Sequence, residues 1–282
     1  MPRHGLALRP RHALALGLLQ GPTELLPVSS SAHTILVPLL ARWAYGELPA
    51  TLRKSFEVAL HGGTALALAL AMRAEPSGAL ADRDARRAAV VALACVPPAG
   101  AGVALATHIE SRLSEPRAVV RGLVVGALAM AIADRCPVTR VADELRPRDG
   151  VVLGLAQAAA LAPGVSRSGA TLAAARALGF ARDDAQVISW NAGLPVILGA
   201  SAMRAARIAR TGLPSGAAAG FAAGAGAAFA STLACARLLG RRAGRPLLPF
   251  ALYRLALAGL ATRRLAHDAA VSGATDQSAS RS

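Results

Sequence analysis

A polar motif that occurs twice inside apolar sequence constrains this chain more than any other feature. Residues 16–34 read LGLLQGPTELLPVSSSAHT and residues 153–171 read LGLAQAAALAPGVSRSGAT. Both copies carry Leu-Gly-Leu, then Gln, Pro, a Ser-rich cluster and a closing Thr. They begin at 16 and 153, 137 positions apart and close to half of the 282 residues. Pro22, Pro27 and Pro163 remove helical donors, and Gly164 follows the last of them. Broken backbone within an apolar environment is tolerated only where it is buried in protein or lines a wet cavity. Polar side chains at that depth are costly, so they read first as a functional site.

The surrounding sequence supplies that environment. Hydrophobic residues make up 54%, aromatic residues 3%, and the mean hydropathy is +0.44, the profile of a polytopic membrane protein. Six Ala/Leu/Val/Gly-rich segments, near 56–72, 88–106, 118–133, 186–203, 214–236 and 247–262, approach the length of about 20 residues that a span needs. The motif regions 12–42 and 150–180 read instead as re-entrant helical hairpins. The expected fold is therefore an all-α integral membrane protein with about six transmembrane helices and two re-entrant helical hairpins. Each half then holds one hairpin and three spans. Three is odd, so the second hairpin enters from the opposite face, an inverted-topology repeat with its site where the broken helices meet. Residues 1–264 form a single polytopic membrane domain, with a first repeat at about 12–134 and a second at about 150–264. Residues 265–282 read as a disordered polar tail. Gly220-x-x-x-Gly224-x-Gly226 points to close helix packing, and Glu57 to a helix start.

The net charge is +15, and every basic residue but Lys54 is Arg or, uncounted in that charge, His. No basic stripe interleaved with aromatics is present, so nucleic acid is not an expected partner. The Arg residues flank apolar segments, where they meet lipid headgroups. They divide almost evenly between the two sides of the expected topology, and orientation is not legible. Arg3, Arg9 and Arg11 before Ala13–Leu19 loosely resemble a secretory signal, but the run breaks at Gln20-Gly21-Pro22 without an Ala-x-Ala site. Cys95, Cys136 and Cys235 are too dispersed for a metal or redox pair.

Spacing indicates the chemistry. Gln20 and Glu24 are four apart and share a helix face. Ser29 or Ser30 stands four or three residues before His33 on a helix expected after Pro27. Ser166, Arg167 and Ser168 open a helix after Pro163-Gly164, where free N–H groups, a guanidinium and hydroxyls suit phosphate. Glu24 suits a hard divalent cation, His33 a general acid or base, and Ser30 or water the nucleophile. Plainer roles compete: Ser29 and Ser31 can simply cap, and Arg167 can pair with Glu24 as a structural ion pair. Glu57, His61 and Gln157 are weaker candidates.

QGPTELLPVSSSAH at 20–33 and PGVSRSGAT at 163–171 resemble the two signature motifs of the undecaprenyl-diphosphatase (bacitracin-resistance protein) family. The resemblance extends to SFEVALHGGT at 55–64 and LPFALYR at 248–254, covering roughly 12–262. It implies hydrolysis of undecaprenyl diphosphate to undecaprenyl phosphate and inorganic phosphate, with carrier recycling for peptidoglycan and bacitracin resistance. It implies a bacterial plasma-membrane, multi-pass enzyme and a divalent cation, Mg²⁺ first and Ca²⁺ as the alternative, with membrane lipids as partners and a homodimer allowed. Carried over by residue, it makes Glu24, Ser30, His33 and Arg167 catalytic, and Gln20, Ser29, Ser166, Ser168 and Arg167 substrate-binding. Glu24 is the metal-linked group. Gln20 stands where the family has Glu or Gln, and Ala32, Pro22, Leu25 and His61 depart from its usual residues. Two other classes compete: a polyprenyl-phosphate transporter (flippase) using the same central site, and an intramembrane serine protease on Ser30 and His33. The protease lacks a Gly-x-Ser-Gly-type elbow.

Overall fold

The computed structural model describes residues 8–73, 85–108, 115–212, 217–239 and 244–279. These residues form ten α-helices, and among them no strand. The first half contains α1 (Pro10–Leu25), α2 (Ser30–Leu40), α3 (Ala50–Arg73), α4 (Ala85–His108) and α5 (Pro116–Ala133). The second contains α6 (Pro147–Ala159), α7 (Arg167–Ala177), α8 (Arg182–Thr211), α9 (Ala218–Leu239) and α10 (Leu248–Ala279). Four expected spans fall within α3, α4, α5 and α8, while 214–236 and 247–262 overlap α9 and α10, with 214–216 lying outside the described residues.

Among the described residues three helices, at Ala85–Leu105, Pro116–Ala133 and Ala218–Leu239, are long and apolar enough to cross a membrane. Most of each is not covered by protein: Val103 is 75% exposed and Leu238 82%. Apolar surface on this scale needs a solvent other than water, so the molecule has the character of a membrane protein.

The halves interlock. α1 packs along α9, and α6 packs along α4, so each motif helix leans on a helix of the opposite half. α5 packs on α10, α3 on α8, α7 on α5 and α2 on α10. Close approach at the first of these contacts depends on Gly17 and Gly21. A Cβ on Gly17 would run into the Gly224 carbonyl of α9, and one on Gly21 into the Ser231 carbonyl. Side chain bonds to backbone seal the seam, since Ser231 Oγ donates to Gly17 O (3.0 Å) and accepts from Gly21 N (3.2 Å). Gly224 of the expected small-residue patch meets the Phe56 ring, whereas Gly226 faces open space.

Three local expectations are corrected. Pro22 does not break its helix: α1 continues to Leu25, and the break falls at 26–29. Thr23 Oγ donates back to Leu19 O (2.7 Å) within this altered turn, while Pro27 and an extended Leu26 stop the helix. Glu57 is not at a helix start, because α3 begins at Ala50. Most of the expected disordered tail is helical: α10 runs through 265 to Ala279, while 280–282 lie outside the described residues. Alanine-rich sequence has high helix propensity, and Arg264 pairs with Asp268 one turn on (3.1 Å).

Candidate active site

The two breaks in the motif helices meet. Each break ends in a serine with positive φ, Ser29 at 75° and Ser166 at 71°, a conformation unusual for a side chain with a Cβ. Each serine then caps the next helix: Ser29 Oγ accepts from Ala32 N (3.4 Å) and Ser166 Oγ from Gly169 N (3.2 Å). The breaks are tied together by Ser168 Oγ donating to Leu26 O (3.3 Å) and by Gly164 N donating to Ser31 Oγ (3.4 Å). The N-termini of α2 and α7 therefore converge, and two positive helix ends share one location.

Glu24, buried at the end of α1, lies at this junction. Its Oε1 accepts from Arg167 Nη2 (3.1 Å), and its Oε2 from Ser30 Oγ (2.7 Å) and Gln20 Nε2 (3.4 Å). His61 Nε2 lies 3.9 Å from the same carboxylate, beyond hydrogen-bond reach. Glu24, Gln20, Ser30 and Arg167 thus form one cluster drawn from both motifs. His33 is held differently. Its Nδ1 donates to Ser29 O (2.7 Å), which leaves Nε2 to accept from the Tyr253 hydroxyl (2.7 Å). Ser30 is therefore paired with the Glu24 carboxylate and not with His33. Ser29 and Ser166 sit at the same junction as caps. Gln157 lies away from it, bridging Ala94 O and Ala192 O.

Two residues of α10 were missed by spacing alone. Tyr253 stacks beside His33 with ring centroids 5.7 Å apart. Arg254 is fully buried, and its Nη2 donates to Gly164 O (2.6 Å) and Val165 O (2.8 Å), with Nη1 3.2 Å from Met130 Sδ. It fixes the turn that carries Arg167. An Arg in the middle of an apolar segment was the available signal. Replacing Tyr253 by Phe leaves the ring stack and removes the donor to His33 Nε2. Turnover is expected to fall roughly 10-fold with KM little changed, as for loss of one oriented proton-transfer partner; a parallel rise in KM alone would show a binding role instead.

Among the described residues no group of three or more His, Cys, Asp or Glu could hold a metal. The oxygen donors that exist still suit a hard cation. Gln20 Oε1 is buried without a hydrogen-bond partner, one turn from the Glu24 carboxylate. One carboxylate and one amide oxygen match how Mg²⁺ is held when substrate phosphates and water complete its shell.

Residues 13–260 match the family model described as "Bacitracin resistance protein BacA", a stretch that includes both motifs, Tyr253 and Arg254. The chain belongs to the BacA family. It is 37% identical over 262 residues to the undecaprenyl-diphosphatase of Geobacter sulfurreducens, covering 88% of this chain and 95% of that protein. It is 36% identical over 270 residues to the undecaprenyl-diphosphatase of Pelotomaculum thermopropionicum, covering 90% and 96%. The Geobacter metallireducens undecaprenyl-diphosphatase is 36% identical over 222 residues, 74% of this chain and 80% of that protein.

Proposed function

We propose that this BacA-family chain hydrolyses undecaprenyl diphosphate to undecaprenyl phosphate and inorganic phosphate. The observation that carries the reading is the Glu24–Arg167 contact across the two motif breaks, with Ser30 on the same carboxylate. Phosphoryl transfer needs little covalent chemistry from a protein and much charge neutralisation. Arg167 and the two helix N-termini bind the diphosphate oxygens, which draws the guanidinium from Glu24 and frees the carboxylate. Glu24 then takes a proton from Ser30 Oγ, or from a water in its place, as that oxygen bonds to the terminal phosphorus. The bond from this phosphorus to the bridging oxygen breaks, and undecaprenyl phosphate leaves with the electron pair. With Ser30 as nucleophile, water attacks the phosphoserine in a second step and restores the hydroxyl. His33, held by Ser29 and Tyr253, then accepts that proton from Glu24. Glu24 and Gln20 Oε1 would hold Mg²⁺, with Ca²⁺ as the alternative, and the ion would offset the charge of the diphosphate.

Leu25, Leu26, Pro27, Trp190 and Phe250 border the first break, and in this reading the isoprene tail runs over this apolar surface. In this reading the six long helices cross a bacterial plasma membrane and the two hairpins re-enter it from opposite faces. The relatives carry the hydrolase name, and no observation favours the transporter or the protease. Purified protein supplied with undecaprenyl diphosphate is expected to release inorganic phosphate and to stop when the divalent cation is chelated. Movement of the lipid between leaflets without phosphate release would overturn the proposal.

A further inference from the structure

The repeat extends beyond the motifs, to the surface where each motif helix begins. Leu8-Arg9-Pro10-Arg11 recurs as Leu145-Arg146-Pro147-Arg148, again 137 positions apart (8 and 145). In both copies the Leu is buried, the first Arg is the N-cap and the Pro opens the helix. The chain following the second helix of each hairpin returns to the same place, bringing Arg42-Trp43 in the first copy and Gly179-Phe180 in the second.

The copies differ in charge. In the second, Asp149 follows Arg148, and its buried carboxylate accepts from Arg146 N (2.8 Å) and from both Arg140 nitrogens (2.6 and 3.2 Å). Arg140 in turn lies over the Phe180 ring, 4.4 Å from its centroid. The second cleft therefore contains its own anion. In the first, the position of Asp149 is His12, stacked flat on Trp43 at 4.2 Å. His12 is only 9% exposed, lines the cleft, and neither ring nitrogen has a hydrogen-bond partner among the described residues. The cleft, about 530 Å³, is lined by Arg9, Arg11 and Arg42 with no carboxylate, and none of the three forms an ion pair among the described residues. Arg42 also holds φ at 54° where the second copy has Gly179 at 93°. A left-handed Arg costs roughly 1–2 kcal/mol that Gly would not, so the chain accepts backbone strain to place a guanidinium there.

We propose that this cleft at the start of α1 binds a phosphate group supplied from outside the chain, where the second copy uses Asp149. Arg9, Arg11 and Arg42 supply the charge and His12 a ring N–H. The site is separate from Glu24, which lies twelve residues further along α1, about 18 Å at the helical rise. The phosphate is an anionic lipid headgroup or free inorganic phosphate, and the chemistry of recognition is shared.

The test uses the full chain carrying Arg167→Gln, which removes the guanidinium at the Glu24 junction, in phosphatidylcholine nanodiscs. One arm titrates inorganic phosphate; the other replaces part of the lipid with phosphatidylglycerol. Thermal unfolding and native mass spectrometry report binding. Arg42→Gly, which copies Gly179, is expected to unfold no earlier than its parent without anion, yet to bind at least 10-fold more weakly. His12→Asp, which supplies the carboxylate internally, is expected to lose the anion-dependent shift altogether. Arg148→Gln in the second copy is expected to change neither. A response in the lipid arm alone identifies a headgroup, and one in the phosphate arm identifies the free ion. Equal anion responses in the parent, Arg42→Gly and His12→Asp, or no response in the parent, would overturn the proposal whatever becomes of the hydrolase reading.

Discussion

Glu24→Gln and Arg167→Ala are each expected to lower phosphate release from undecaprenyl diphosphate by roughly 10²–10⁴-fold, the loss typical of a general base or a charge-stabilising donor. The two residues face each other at 3.1 Å, so a purely structural ion pair would give a similar first result. The double variant separates the two cases. Glu24→Gln with Arg167→Gln leaves no unpaired charge, since Ser30 and Gln20 can still bond the amide at position 24. If the pair serves only packing, the double variant regains stability and activity together. If the pair is the site, thermal stability returns and turnover does not. Recovery of turnover in the double variant would sink the assignment of both residues.

The second large effect belongs to Arg254. Its guanidinium is fully buried and satisfies Gly164 O and Val165 O, the carbonyls that precede the Ser166 cap. Lysine offers a single point charge where the planar fork serves several acceptors. Arg254→Lys and Arg254→Met are each expected to lose roughly 3–5 kcal/mol of stability, the scale for breaking a buried polar network by removing one partner. Both should therefore unfold at clearly lower temperature in detergent. Because the released turn carries Arg167, turnover measured well below the unfolding temperature is expected to fall as well. An unchanged melting temperature would show that the turn holds without Arg254.

The repeated motif, the apolar segments and the polar groups between them are properties of neighbouring residues, so they were legible without coordinates. They were enough to expect an all-helical chain with two interrupted helices, and to single out Glu24, Ser30, His33 and Arg167. Gln20 and Glu24 on one face follow from helical periodicity, and the structure has them hydrogen-bonded. Pairing was another matter. Spacing suggested Ser29 or Ser30 with His33, four or three residues apart, but the rotation of α2 directs Ser30 to Glu24 and His33 to the Ser29 carbonyl and Tyr253.

Some local features were decided by competing effects of similar size. The helix passes Pro22 because packing against α9 and the Thr23 back-bond offset one missing donor. The stretch after Arg264 stays helical because alanine propensity outweighs its polar composition. The capping of α2 and α7 by serines with positive φ could not be read from a Ser-rich run, in which any member could have been the cap.

By itself the sequence determined the class of the molecule and the inventory of its polar groups, because apolar periodicity and motif spacing act within a few turns of helix. Only the tertiary structure decided which of those groups meet. The Glu24–Arg167 contact joins residues 143 apart, and the His33–Tyr253 contact residues 220 apart. Such contacts depend on how two interlocked halves are rotated against each other. The same is true of the clefts at the helix starts: identical Leu-Arg-Pro-Arg segments frame both, and only the fold shows that Asp149 pairs with Arg140 in one while His12 stacks on Trp43 in the other.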